Sequence, residues 1–316
     1  MHSVGSPLVW TVFGAIVVVM LALDLGVFHR KAHVIGTREA AAWSAVWIGV
    51  ALCFALFVYL RFGPAMAGDF VTAWLIEKAL SVDNIFVFLV IFSYFSVPPN
   101  LQHRVLFWGI LGALITRGLF IVVGAALLAA FHWVMYVFGA FLVLTGFKLL
   151  VQKDEEIHPE RNPVLRLFRR FVPAVSEYEG KQFLVKRDGR TYATPLLLVL
   201  VVVEATDVVF AVDSIPAVFA ISKDVFIVYT SNIFAILGLR ALCFLIASLV
   251  RRLRYLKAGL ALILAFVGIK MLIADVYKIP TGISLAVVAA LLIGAAAASF
   301  LFAPKADSPA DPPASP

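Results

Sequence analysis

The sequence predicts an all-α polytopic membrane protein, and three observations favour this fold class. Of the 316 residues, 63% are hydrophobic and 14% are charged, and the mean hydropathy is +1.01. Soluble domains have about 45–50% apolar and about 25% charged residues. Apolar runs recur along the chain, and Lys and Arg collect in alternate connecting segments. Together these features exclude a soluble enzyme, a disulfide scaffold and a disordered chain, because no soluble fold of this size buries so much apolar surface.

The apolar runs define the predicted spans, since crossing a bilayer takes about 20 residues. We count nine: 8–28, 40–60, 71–96, 105–129, 132–151, 195–221, 225–249, 256–275 and 279–302. The first is expected to be a span rather than a cleaved signal peptide, because it lacks a basic start and is followed by His29-Arg30-Lys31. We therefore predict a single transmembrane domain over residues 1–302. The tail 303–316 is rich in Pro, Ala, Ser and Asp and is expected to be disordered.

The distribution of Lys and Arg predicts the orientation. With the N-terminus outside, the cytoplasmic segments carry 18 Lys and Arg residues and the opposite segments carry 3. Cytoplasmic loops of membrane proteins carry such an excess, so we predict an external N-terminus and a cytoplasmic C-terminus. The same rule accounts for the net charge of +7 without nucleic acid as a partner.

The segment 152–194 is the only long loop, and two short elements are predicted in it. Residues 163–171 mix apolar and basic side chains, which is typical of a helix on an anionic leaflet, although an ordinary solvated loop has the same composition. Residues 183–194 contain Asp188-Gly189 between short extended stretches, which indicates a β-hairpin.

Two segments of the chain resemble each other. Glu77 and Asp83-Asn84 in the third span are echoed by Glu204, Asp207 and Asp213-Ser214 in the sixth. The later matches are Arg117 with Arg240 and Gly146-Phe-Lys148 with Gly268-Ile-Lys270. The first unit covers about 71–151 and the second about 195–275, while 8–28, 40–60 and 279–302 are extra helices. Because each unit has three spans, the second must enter from the opposite side, which predicts an inverted repeat of the kind found in secondary transporters.

Ionisable residues inside spans mark the candidate site. Each costs about 2.5–3.5 kcal/mol at the bilayer centre on insertion scales, so they must face one another, a ligand or a watery cavity. The eleven are Asp24, Glu77, Asp83, Glu204, Asp207 and Asp213 with Lys78, Arg117, Lys148, Arg240 and Lys270. Arg117 and Arg240 are expected to pair with the acids. Lys148 and Lys270 lie near span ends, where either charge pairing or snorkelling to the interface accounts for them.

Helical spacing brings several of these groups to one side. Glu77, Ser81 and Asn84 share a face of the third span, and Glu204, Asp207 and Ser214 share a side of the sixth. Pro216 removes a backbone N–H, so we predict a break at 213–216 that turns Asp213 towards the same site. A milder distortion is expected at Asp83-Asn84.

The predicted metal ligands are therefore Glu77, Asp83, Asn84, Glu204, Asp207, Asp213 and Ser214, with Asp24 as a possible addition. All offer oxygen, which favours a hard divalent cation over Zn²⁺ or Cu⁺. Cys53 and Cys243 show no metal-type spacing. A proton relay, a structural charge network and an assembly role remain alternatives. Neither a nucleophile motif nor a phosphate loop is present, so the sequence does not favour an enzyme, and no cofactor is predicted.

At these residues the sequence resembles the TerC family of integral membrane proteins. The resemblance runs from about residue 8 to 302 and rests on three motifs: EKALSVDNIFVF at 77–88, EATDVVFAVDSIPAVFAI at 204–221 and SNIFAILGLRAL at 231–242. It implies a protein of the bacterial inner membrane, in a family named after tellurium resistance. It also implies manganese export, or metal supply to exported enzymes, with the ion bound at the acidic motifs.

The sequence-based hypothesis is a manganese exporter working by alternating access, with protons as a possible coupling ion and Glu204 as a ligand or proton carrier. The alternative is an accessory protein for metal loading or assembly, or a tellurite-resistance factor, that moves no ion itself. An oxyanion is disfavoured at the site, since six acids face five bases. The oligomeric state does not follow from the sequence.

Overall fold

The computed structural model describes residues 3–29, 36–151, 163–175, 177–187, 189–249 and 255–301. Within these ranges the chain is almost entirely helical, and its one sheet is a two-stranded hairpin. In chain order the elements are α1 (Pro7–His29), α2 (Thr37–Phe62), α3 (Pro64–Tyr94), α4 (Pro99–Ala130), α5 (Val134–Val151), α6 (Pro163–Phe171), β1 (Leu184–Arg187), β2 (Arg190–Ala193), α7 (Pro195–Phe219), α8 (Val225–Ile236), α9 (Leu239–Leu249), α10 (Leu256–Leu272) and α11 (Thr281–Leu301).

Five of the described helices are long and apolar enough to cross a membrane: α2, α4, α5, α7 and α11. The helices α8 and α9 meet this criterion together as a pair bent by 44°. The all-α polytopic fold class is thereby confirmed. The remaining predicted spans correspond to α1, to the 17-residue α10 and to α3, whose 31 residues include Asp69, Glu77, Lys78 and Asp83.

Local sequence explains where the helices begin and bend. Pro64, Pro99 and Pro195 occupy the first turn of α3, α4 and α7, where the missing N–H costs no helical hydrogen bond. Asp224 caps α8 by accepting hydrogen bonds from the backbone N–H groups of Phe226 and Ile227. Gly238, with φ +81°, separates α8 from α9, and this backbone conformation favours glycine.

The predicted break at 213–216 is wrong. The helix α7 continues from Pro195 to Phe219 with Pro216 inside it, and α3 is also continuous through Asp83 and Asn84. Pro216 lies in the last turn of α7, only three residues before the helix ends. A proline there leaves few helical hydrogen bonds after it to be disturbed. The interruption at membrane depth occurs instead at Leu237-Gly238.

The long loop has the two elements predicted for it. α6 forms a helix over Pro163–Phe171, and β1 pairs antiparallel with β2. Leu165 is buried in the core, while Val164 and Leu167 are exposed, so α6 has an apolar surface on two sides. The Tyr178 hydroxyl donates to the carbonyl of Phe95 at 2.8 Å and ties this loop to the end of α3. Binding of α6 to a leaflet stays a prediction.

The buried apolar side chains form two clusters that share four helices. One cluster draws on α1, α2 and α9, and the other on α5, α10 and α11. Helices α3, α4, α7 and α8 contribute to both. A polar group carried by α3, α4 or α7 therefore lies between the two apolar clusters, where an unsatisfied charge is most costly.

Candidate ion site

Arg117 is the centre of the candidate site. Its side chain on α4 is 1% exposed, and its guanidinium forms ion pairs with Glu77 on α3 and with Asp207 on α7. Nη2 lies 3.1 Å from Oδ1 of Asp207, and Nε donates to Oδ2 at 3.4 Å. Nη1 also lies 3.3 Å from Oγ of Ser214. One arginine thus links three helices through three of the predicted ligands.

The charge balance at this centre favours a further cation. Glu77 and Asp207 bring two carboxylates to one guanidinium, and Glu77 is 0% exposed. Its second oxygen, Oε2, is buried and has no hydrogen-bond partner among the described residues. Buried carboxylate oxygens usually have at least one hydrogen-bond partner each, because desolvation is expensive. The arrangement leaves acceptor capacity that a proton or a metal ion can use.

Glu204 adds a third acid next to this centre. It lies on α7 one turn before Asp207, and the two carboxylates are near enough for their charges to interact. Its carboxylate packs directly over Gly112 of α4, at the place where any other residue would have its Cβ atom. The absence of a side chain at Gly112 therefore makes room for the Glu204 carboxylate.

A cavity of about 170 Å³ lies beside the arginine centre, between α3, α5, α7 and α10. Its polar lining comes from Asn84, Thr145, Lys148, Asp213 and Ser214. The hydroxyl of Thr145 donates to Oδ1 of Asp213 at 3.5 Å. Because Ser214 also contacts Arg117, the cavity and the arginine centre form one continuous polar region. Thr145 was missed in the sequence, since a lone threonine in a span carries no signal.

Lys78 forms hydrogen bonds with backbone carbonyls at the break between α8 and α9. Its ammonium donates to the carbonyl of Ala235 at 3.0 Å and lies 3.5 Å from that of Leu237. These carbonyls are released from helical hydrogen bonds by the turn at Gly238. The sequence identifies Lys78 as an intramembrane charge, but its role depends on a break that the sequence places elsewhere.

The other predicted residues are spread around this region. Arg240 on α9 is completely buried, and Lys148 lines the cavity. Lys270 lies near Asp69, which accepts a hydrogen bond from the hydroxyl of Thr281 at 2.7 Å. The side chains of Asp24 and Asp83 lie outside what the structure describes, although both residues belong to described helices.

Among the described residues, no three His, Cys, Asp or Glu side chains converge into a metal-type cluster. The acids are instead distributed around Arg117, with amide and hydroxyl oxygens completing the polar region. Carboxylate, amide and hydroxyl oxygens are the donor types that hard cations prefer.

Comparison with known proteins gives a consistent result. The sequence profile of the integral membrane protein TerC family matches residues 62–307. The chain is 53% identical to an uncharacterized membrane protein of Myxococcus xanthus, with 98% of both chains covered. It is 48% identical to a protein of Escherichia coli strain K12 described as a candidate membrane-bound redox modulator, Alx, over 93% of this chain and 94% of that one.

A membrane protein of Rickettsia felis, also uncharacterized, is 42% identical over 92% of this chain and 97% of its own length. No solved structure matches the chain. The relatives align over almost their whole length, so the protein is an integral, multi-pass membrane protein like them.

Proposed function

Because the chain belongs to the integral membrane protein TerC family, we propose that it is a transporter that exports a divalent cation, Mn²⁺, across the bacterial inner membrane. One observation carries the proposal. An oxygen-lined cavity with Asp213, Asn84 and Ser214 adjoins a buried centre in which two carboxylates hold one arginine. A protein that only needed a stable core would not retain these groups at membrane depth.

The chemistry of the donors supports Mn²⁺. Carboxylate, amide and hydroxyl oxygens suit hard divalent ions, and the polar lining of the cavity contains neither sulfur nor imidazole. Asp213, Asn84 and Ser214 are proposed as first contacts, and Asp83 as a further ligand. Glu77, Glu204 and Asp207 supply the negative charge behind them, and Glu204 serves as ligand or proton carrier.

Arg117 is proposed as the internal counter-cation of this centre. When no metal is bound, its guanidinium pairs with both Glu77 and Asp207 and offsets one of their two negative charges. An arriving Mn²⁺ competes for the same carboxylates, so metal entry and movement of α4 against α3 and α7 are linked. This exchange is the step that would convert ion binding into alternating access.

The helix contacts support the inverted repeat. Gly139 of α5 packs against the backbone of Gly268 on α10, and Gly146 of α5 packs against Ala261 of α10. The repeat makes Gly146 equivalent to Gly268, and hence residue 139 equivalent to residue 261. Exchanging the two units therefore converts the contact between 139 and 268 into the contact between 261 and 146. The packing of α3 on α8 likewise mirrors that of α4 on α7.

The contacts at the helix ends support nine spans with an external N-terminus. The backbone N–H of Val4 donates to Asp224 at 2.7 Å, and Asp69 pairs with Thr281, all at ends predicted to be outside. The contact of Tyr178 with Phe95 joins two regions predicted to be cytoplasmic. This sorting is expected if α1, α2, α3, α4, α5, α7, α10 and α11 each cross once and α8–α9 cross together.

The test is Mn²⁺ flux into liposomes that contain the purified protein. We expect Asp213→Asn and Glu77→Gln to lower flux at least tenfold, the factor that a loss of about 1.4 kcal/mol in ion binding gives. Asp275→Asn is the matched control, because Asp275 is an exposed acid beyond the end of α10, and the change should leave flux unchanged.

Two results would overturn the proposal. If the wild-type protein is folded and binds Mn²⁺ but supports no flux, an accessory role in metal loading or assembly replaces transport. If both site variants transport as well as the control, the ion does not use this site. Flux that ignores an imposed pH gradient would remove the proton as coupling ion while leaving Mn²⁺ export in place.

A further inference from the structure

An apolar groove of about 470 Å³ runs between α1 and α2, and its floor is formed by α8. The residues that define it include Val12 and Ile16 of α1, Cys53 and Phe57 of α2, and Phe234 of α8. All of its lining side chains are apolar or, in Cys53, nearly so. The groove shares no lining residue with the cavity of the ion site, and the proposed transport does not use it.

The groove exists because α1 is held by aromatic rings rather than by close backbone packing. Trp10 meets the ring of Phe226 edge-on with centroids 5.0 Å apart, and Phe13 lies 5.9 Å from Phe54. Because these rings lie between the helices, the backbones of α1 and α2 are held apart along the segment that the rings occupy. A gap remains that the protein's own side chains do not fill.

Water is a poor occupant of this gap. An apolar cavity with no polar partners stays dry, even when it exceeds the roughly 30 Å³ that one water takes in the liquid. Leaving the gap empty forfeits dispersion contacts along its walls. In a bilayer the available apolar chain is the acyl tail of a lipid.

Arg61 indicates which lipid. It lies one helical turn beyond Phe57 on the same face of α2, so it extends the line of the groove towards the helix end. Phe62 and Trp10 both pack on Phe226, which places this end of α2 beside the start of α1. The Arg61 side chain is exposed, and its guanidinium carbon lies 5.9 Å from the centroid of the Phe62 ring, at the same end of α2.

We propose that the groove between α1 and α2 binds one acyl chain of a membrane phospholipid whose phosphate is held by Arg61. A guanidinium pairs with phosphate oxygens through two parallel hydrogen bonds, which gives the complex its headgroup preference. The bound chain contacts Phe234, which packs 4.6 Å from Phe54 and precedes the α8–α9 break by one turn. Lipid occupancy therefore stabilises the broken span.

The first experiment measures lipid binding to delipidated protein by native mass spectrometry, with phosphatidylglycerol and diacylglycerol of the same chains as probes. We expect phosphatidylglycerol to bind at least about tenfold more tightly, and Arg61→Gln to remove that difference. Cys53→Trp fills the groove and should abolish binding. Val122→Trp on the exposed face of α4 is the matched control and should leave it unchanged.

The second experiment works even if the tryptophan variant fails to fold. Cys53 is exposed and Cys243 is buried, so a maleimide labels Cys53 in the native protein. We expect phosphatidylglycerol to slow this labelling at least fivefold, and Arg61→Gln to reduce the protection. Equal labelling rates with and without phospholipid, or equal affinity for both probes, would overturn the proposal.

Discussion

Helix α4 and the pair α8–α9, which the proposed repeat makes equivalent, both bury an arginine but differ in the continuity of their backbones. α4 is one continuous helix of 32 residues, whereas α8 and α9 have 12 and 11 residues and meet at 44°. Arg117 is 1% exposed and Arg240 is 0% exposed. In α4 the backbone satisfies itself, and the arginine is available to the acids of α3 and α7. In α8–α9 the carbonyls at the break need hydrogen-bond donors from another helix.

The difference shows how a membrane fold distributes its cations. Irregular backbone at membrane depth is tolerated only where other groups satisfy it. Lys78 of α3 satisfies the break by donating a hydrogen bond to the carbonyl of Ala235. Two neighbouring residues of α3 therefore bind different helices. Glu77 accepts from Arg117 of the continuous α4, and Lys78 donates to Ala235 of the broken pair α8–α9.

The largest effect is expected from Arg117→Leu. This change leaves Glu77 and Asp207 buried without their cation, and breaking a buried ion pair from one side costs about 3–5 kcal/mol. We expect the free energy of unfolding, measured by titration with a denaturing detergent in mixed micelles, to fall by that amount. Adding Asp207→Asn should recover part of the loss, and a double variant no better than the single would contradict the pairing.

The second prediction concerns the turn that distinguishes the two regions. Gly238→Ala should lower the free energy of unfolding by about 3 kcal/mol, since φ is +81° and a Cβ would lie 2.5 Å from Trp47. Gly180→Ala is the control, because φ is +55° there but nothing lies within 4 Å. It should show only the backbone strain, about 1–2 kcal/mol. Equal losses would mean that Trp47 gives way freely.

The sequence could predict much of this arrangement, and the two breaks show where it could not. The acidic motifs, Arg117 and the hairpin predicted over 183–194 follow from composition, spacing and turn residues. Pro216 suggested an interruption in α7, yet a proline in the last turn disturbs little. Gly238 gave no such signal, because glycine is frequent in spans and only the contact with Trp47 and the positive φ reveal its role.

The sequence predicted that Arg117 pairs with intramembrane acids, but not which acids it joins. Spacing on each helix places Glu77 and Asp207 on inward faces, but it gives no distance between helices. That Arg117 lies between them, rather than beside them, depends on how α3, α4 and α7 pack. Thr145 and Gly112 contribute for the same reason, since their roles come from neighbours that are distant in sequence.

The third prediction tests the lysine that supports the broken span. Lys78→Met keeps the length of the side chain but removes the donor to the carbonyl of Ala235. A hydrogen bond to a charged group contributes about 1.5–3 kcal/mol, and we expect a loss of unfolding free energy at the lower end because Lys78 is only half-buried. Backbone amide exchange at residues 236–240 should accelerate, whereas exchange in α4 should not. Uniform acceleration in both would show that Lys78 does not act on the break.

The smallest effect on stability is expected from Gly112→Ala, and it separates packing from function. The added Cβ meets the carboxylate of Glu204, which is the end of a flexible side chain and can swing aside. Alanine also favours the helix by about 1 kcal/mol, so the free energy of unfolding should change by less than about 1 kcal/mol. Gly49→Ala, with nothing within 4 Å, should be neutral or slightly stabilising and should leave Mn²⁺ flux unchanged. Because Glu204 moves in the Gly112 variant, its Mn²⁺ flux should fall several-fold at unchanged stability. Unaltered flux would show that the position of the Glu204 carboxylate over Gly112 of α4 contributes to packing but not to transport.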